Sequence, residues 1–258
     1  MDACTTKLPR RALAGVPTPR LVSYLASRAD SLPGAILRPV GDRAKIKLFP
    51  DGHLTEITKE LPFSRSLARD GFLALELLSQ WRQRQSAIDP CETGLYSVAL
   101  NGPWPYQSLT ELWQQESTLI GRIQTLRKRW PPKQHFRQNA PLRATHYSLA
   151  LKLAGPLVSF VDPWTGLADA VEWAALDLAQ GRVKRALLLA AFAADEEQNL
   201  EFFAATAPEL SEAALLLELA PAVGPSPLLW EKGLHRAELP YGVCSPFFQG
   251  LLPWDITV

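Results

Sequence analysis

Apolar residues follow three spacings along this chain, and each predicts a different element. Between Ser64 and Ser86, Leu67, Phe72, Leu75, Leu78 and Trp81 recur at roughly helical intervals, with arginines and glutamines between them; this predicts an amphipathic helix. SLTELWQQESTLIGRIQTLRKRW (108–130) predicts a second helix, stopped by Pro131-Pro132. Residues 139–153 predict a third, with Leu149, Ala150 and Leu153 facing inward. Continuous apolar runs behave differently. PLVSFV (156–161), VKRALLLAAFAA (183–194) and AALLLELA (213–220) read as strands buried on both faces. CETGLYSVALNG (91–102) reads as a strand with a polar lead-in. Short alternating pieces fill the start of the chain. AKIKLF (44–49) followed by PDGHLTEIT predicts two strands turning at Asp51-Gly52, and RRALAG near Arg10 a degenerate first strand.

The sharpest pattern is strand, turn, helix, strand. Asp162-Pro163 turns the chain, and proline suits the first helical turn, where its missing N–H is not needed. The helix after it should bury Leu167, Val171, Ala174 and Leu178 and stop at Gly181. A β-α-β unit of this kind implies parallel strands in one sheet. DEEQ (195–198) reads as an acidic loop.

Composition narrows the function. Twenty-seven basic and 26 acidic residues give a net charge of +1, without the basic excess of a nucleic-acid binder. No apolar run reaches the length of a membrane span, and MDACTTKLPRRALAGVP has no apolar signal core. A cytoplasmic location is the expectation. Cys4, Cys91 and Cys244 form no CxxC, so they read as reduced thiols rather than zinc ligands or disulfides. No cofactor and no metal are expected. Asp195, Glu196 and Glu197 read as a solvated surface run.

Four stretches, in order, resemble the N-terminal half of a β-ketoacyl synthase of the thiolase superfamily. They are Arg65 to Leu78, IDPCETGLYSVALNGPWPYQSLTELW, GPLVSFVDPWTGLADAVEWAALDLAQGRVKRALLLAA, and SEAALLLELAP. The third is the most specific, since its register holds from Gly155-Pro156 to Gly181. In the family that segment carries the active-site cysteine, and the count places Trp164 at its position. An indole offers neither a proton to lose near neutral pH nor a lone pair to attack a thioester, so nucleophilic catalysis is lost there. The family's second half supplies two catalytic histidines. No HGT or GHxxG pattern occurs here, and His53, His135, His146 and His235 sit in unrelated contexts.

The resemblance implies an α/β, thiolase-like fold, N-terminal half only: a mixed, mainly parallel sheet with covering helices. It implies a single truncated domain, with a divergent start (1–63), a recognisable half (64–221) and an atypical tail (222–258). It also implies a non-catalytic role, that of the chain-length factor of type II polyketide synthases. Truncated partners of this kind resemble those of Gram-negative systems, with the anthraquinone (octaketide) class ahead of the aryl-polyene class. The implied partners are a catalytic ketosynthase, in a heterodimer or heterotetramer, and an acyl carrier protein. Neither nucleic acid nor membrane is among them.

Trp164 either caps the cavity facing the partner or is a large packing residue at a drifted position. Counting back from it, the tunnel-setting positions of the family fall on Leu112, Gln115 and Leu119, spaced to share one helical face. By the resemblance the KQHFRQ loop (133–138) corresponds to one that reaches toward the other subunit's tunnel, with His135 and Phe136 as candidates to line it; otherwise it is a surface loop with a single buried aromatic. Leu157, Val158, Ser159, Phe160 and Val161 should meet the partner across the family's pseudo-two-fold. Arg122, Arg127, Lys128 and Arg129 either dock an acidic carrier protein or complement the end of their helix. Half of a thiolase fold should expose apolar surface that normally meets the second half, which predicts poor solubility alone and an obligate heterodimer. The apolar tail LPYGVCSPFFQGLLPWDITV (239–258) could pack on that partner. A stand-alone hydrolase finds no Ser-His or Cys-His pair at recognisable spacing, and a purely structural stabiliser of the ketosynthase is the remaining alternative.

Overall fold

A computed structural model describes residues 16–42, 44–50, 67–84, 89–100, 114, 116–129, 139–193, 197–224 and 238–254. Its centre is a five-stranded sheet built from β1 (Arg20–Arg28), β4 (Thr93–Val98), β5 (Leu157–Phe160), β6 (Arg185–Phe192) and β8 (Ala213–Ala220), in the order β1-β8-β6-β4-β5. A smaller sheet joins β2 (Ile36–Val40), β3 (Ala44–Leu48) and β7 (Glu209–Ser211). The helices are α1 (Arg69–Arg84), α2 (Leu119–Arg129), α3 (Ala140–Leu151), α4 (Gly166–Ala179), α5 (Glu197–Ala204) and the single turn α6 (Ser245–Phe248).

The expected mixed α/β sheet with covering helices is therefore borne out. Its parallel core is β5-β4-β6, and β8 runs antiparallel beside β6. The β-α-β unit joins β5 to β6 across β4, which lies between them, rather than joining neighbours. Alternation along β6 explains why its run is wholly apolar. Ala186, Leu188, Ala190 and Phe192 enter one core with α4, while Leu187, Leu189 and Ala191 enter another with α1. A strand covered on both faces has no polar side to show.

Two buried carboxylates tie α1 to β8. Arg69, at the start of the helix, donates from Nε and Nη2 to Glu212 at 2.6 and 2.9 Å. The Phe49 N–H also donates to that carboxylate, at 2.8 Å. Near the helix end, Trp81 Nε1 donates to Glu218 Oε2 at 2.9 Å, Ser23 Oγ to the same oxygen at 2.7 Å, and Arg185 Nε lies 3.2 Å from Oε1. A carboxylate can be kept from water when several donors replace its hydration.

Several expectations are corrected. The first described strand of the sheet is β1 at Arg20; RRALAG, where a degenerate first strand was expected, lies outside the described residues. The antiparallel partner of β3 is β2, reached through Gly41-Asp42, and β7 fills its other edge. Residues 51–66, including Asp51-Gly52, lie outside the described residues. The helix expected over 108–130 is interrupted at residues 116–118, and α2 starts afresh at Leu119. There Thr118 Oγ1 accepts the Gly121 N–H at 3.1 Å, and Arg122 Nε donates to the Glu116 carbonyl. A hydroxyl capping a new helix start competes with continuation of an old one. In α3 the fully buried face is Ala140, Arg143, Ala144, Tyr147 and Leu151; Ala150 and Leu153 pack partly against the core as expected, whereas Leu149 is 59% exposed. Arg143 holds an inner position because Asp70 and the Leu100 carbonyl receive its guanidinium. The run read as an acidic loop opens α5 at Glu197.

The tail also behaves differently from expectation. Leu239, Val243, Cys244, Phe247 and Leu252 are buried in the same core as α4, so the described part of the tail packs on its own chain. It runs back along β1. Tyr241 Oη donates to Asp30 at 3.0 Å, Tyr241 and Phe248 flank the Arg28 guanidinium, Phe247 meets Tyr24, and Trp254 Nε1 donates to the Pro19 carbonyl at 2.9 Å. This strap and α4 together cover one face of the sheet.

Candidate functional site

The elbow between β5 and α4 is built by one side chain. Asp162 Oδ1 accepts the N–H groups of Trp164 and Thr165 at 2.9 and 2.5 Å and the Thr165 hydroxyl at 3.0 Å. The Asp162 carbonyl receives the Gly166 N–H. Asp162 thus holds the tight turn that leads into α4; the helix itself starts at Gly166, so Pro163 and Trp164 stand in that turn and not in the first helical turn where the proline was expected. The far end closes as expected. Gly181, at φ +68°, lets its N–H reach the Leu178 carbonyl, and the Arg182 N–H reaches that of Asp177. Leu167, Val171, Ala174 and Leu178 are all buried, as their spacing predicts.

Two glycines let backbone approach backbone or side chain. A Cβ on Gly155 would stand 2.3 Å from the Thr93 carbonyl oxygen, and one on Gly166 would stand 2.9 Å from Val98 Cγ1. The first seats the lead-in of β5 against β4, and the second lets α4 lie close on the sheet.

Trp164 is half-buried and belongs to a row of rings. Its indole meets Phe202 edge-on at 5.1 Å, Phe202 meets Phe203 at 5.1 Å, and Phe203 meets Phe192 at 4.8 Å. Phe203 and Phe192 are buried, whereas Phe202 is 38% exposed. The row runs from the end of β6 to the elbow. Sequence reasoning singled out Trp164 and missed Phe202, Phe203 and the carboxylate that holds the turn. The Asp-Pro pair and the doublet Phe202-Phe203 were the available signals.

Neither described thiol is both exposed and near the elbow. Cys91 is exposed but precedes β4, so it lies at the opposite end of the parallel strands from the elbow. Cys244 lies near the elbow end, where its thiol faces the Ala213 carbonyl, but it is fully buried. Burial pushes its pKa far up from the ordinary 9.0, so it stays a thiol.

The remaining candidates divide. Leu157 and Val161 are 38% and 44% exposed at the outer edge of the sheet, where no strand pairs with β5 beyond β4 among the described residues. Val158 and Phe160 pack partly into the α4 core, and Ser159 receives a hydrogen bond from Ser97 at 3.2 Å. Leu119 is 63% exposed at the start of α2, next to the exposed Ile120 and Ile123. The break at 116–118 separates Leu119 from the face it was expected to share with Leu112 and Gln115, and those two residues, His135 and Phe136 lie outside the described residues.

No protein-family model and no curated protein matches the chain. Solved structures do. The chain superposes on the ishigamide ketosynthase/chain length factor with a TM-score of 0.56 at 17% identity, over 82% of this chain and 64% of that one. A ketosynthase bound to the hexaketide, in complex with its type II polyketide synthase acyl carrier protein, gives 0.53 at 15% identity, over 68% and 53%. The ketosynthase from module 6 of the bacillaene synthase of Bacillus subtilis gives 0.52 at 9% identity, over 79% and 40%. The chain therefore has the thiolase-like ketosynthase fold, and it spans less than two thirds of each of these chains.

Proposed function

We propose that this chain is a non-catalytic, chain-length-factor-like subunit. It pairs with a catalytic ketosynthase and shapes the chamber in which malonyl units on an acyl carrier protein are condensed with loss of CO2. The observation that carries this reading is the elbow. Its strand, turn and helix are intact, and the turn holds an indole braced by aromatic rings where acyl transfer needs an ionisable nucleophile. The fold it shares with a ketosynthase/chain length factor supports the partnership. So does the open edge at β5, with Leu157 and Val161 exposed on it.

The bond-making residues come from the partner. Leu119 remains a tunnel-wall candidate, with Ile120 and Ile123 widening the apolar surface beside it. Leu112, Gln115, His135 and Phe136 keep their candidate roles from the resemblance. The division into a ketosynthase-like half at 64–221 and flanking segments, the Gram-negative origin, and the octaketide class ahead of the aryl-polyene class belong to the same reading.

Co-expression with a ketosynthase tests it. The complex should co-purify, and Trp164→Ala should change the length distribution of the products. A change of yield at constant length would make the subunit a stabilising scaffold. Turnover of an acyl thioester by the chain alone would end the proposal.

A further inference from the structure

Trp164 cannot set the shape of a chamber unless its own pose is set. It stands in the turn that precedes α4, where its backbone is held by Asp162. The recorded ring contact of its indole is the edge of Phe202, which leans on Phe203, a residue wholly inside the core. Edge-to-face ring pairs prefer a defined tilt and separation, so the position of Phe203 is passed outward through Phe202 to the indole. Phe202 is also the more exposed of the middle pair, which places it beside Trp164 on the open side of the row.

The chemistry around the two rings selects an occupant. Asp162 Oδ1 is occupied by three donors and Asp169 Oδ2 receives the Thr165 hydroxyl. Neither carboxylate forms an ion pair among the described residues, so the described part of the elbow presents negative charge and ring surface, which favours an uncharged occupant. We infer that Phe202 is a positioning residue: it holds the Trp164 indole in the pose that closes one end of the chamber, and that end receives the uncharged, apolar terminus of a growing acyl chain. This inference rests on the proposed function.

The test has two arms. In the full-length chain with 15N-labelled tryptophan, the Trp164 indole signal is identified by its loss in Trp164→Phe. Phe202→Ala should move or broaden that signal, and Phe202→Tyr should restore it, since a ring-pair preference corresponds to roughly a two- to tenfold change in rotamer population. In the ketosynthase complex, Phe202→Ala should shift product length in the same direction as Trp164→Ala, with Phe202→Tyr close to the parent. An indole signal untouched by Phe202→Ala overturns the inference. A moved signal with unchanged products overturns it too, while a Trp164→Ala shift in that experiment leaves the proposed function standing. Failure of any ketosynthase to co-purify removes both, and is seen before products are measured.

Discussion

Glu212 keeps its carboxylate out of water because Arg69 and the Phe49 N–H supply the missing hydration. Replacing it with alanine would leave that guanidinium, partly buried, with its bond to the Phe49 carbonyl but without its carboxylate. Breaking one side of such a pair costs about 3–5 kcal/mol, so Glu212→Ala should lower the unfolding free energy in denaturant by that amount. A loss below about 1 kcal/mol would mean that water already reaches Arg69.

Alkaline pH probes the interior at two other residues. Burial first, and then the hydrogen bond to Asp177, raise Tyr96 well above its ordinary 10.0, and burial raises Cys244 above 9.0. Both groups hold their protons more tightly folded than unfolded. Their contribution is complete below the unfolded values and is lost as pH climbs past 9 and then 10 toward the folded values. Stability should therefore be unaffected by these groups near neutrality and decline above about pH 9. In Tyr96→Phe the decline should be shallower; an identical slope would remove Tyr96 as a source.

At the scale of elements, the strap over the sheet makes the clearest prediction. Cys244 lies beneath it and Cys91 lies in the open. Alkylation of the full-length chain, followed by mass spectrometry, should modify Cys91 rapidly and Cys244 slowly. Removing the Tyr241 and Phe248 rings that flank Arg28 should speed Cys244 labelling by about tenfold or more, because local opening governs such access. An unchanged rate would show that the strap is held by something other than that clasp.

The same elements show what could be read in advance. The run from β5 through α4 to β6 was legible because one periodicity, one Asp-Pro turn and one terminal glycine agree with the fold. The inner face of α3 was not, since an arginine paired to Asp70 stands where an apolar residue was sought. The end of α1 at Trp81 was legible as a helix but not as a tether, because Glu218 is 137 residues away along the chain. Trp164 could be found by counting. Its brace could not, for Phe202 lies on a helix whose start reads as an acidic loop. The strap was read as partner-facing because apolar composition alone does not say which surface it will cover.

For the whole molecule, covering the α4 side of the sheet changes what a partner must provide. That face is covered among the described residues, so association in the proposed complex should depend on the edge at β5. Placing a charge there is the usual way a sheet edge is kept from pairing. Leu157→Lys together with Val161→Lys should abolish co-purification with a ketosynthase while leaving the thermal unfolding of the free chain nearly unchanged. Retention of the complex by this double variant would move the interface elsewhere.

The bond from Trp254 to Pro19 brings positions 235 residues apart to one pole of the molecule. That pole lies at β1, four strand spacings or about 19 Å across the sheet from β5. A surface anchor or fluorescent reporter attached near either position would therefore emerge on the far side from the open edge. Immobilised that way, the protein could be offered to candidate ketosynthases with its pairing strand turned toward the solution.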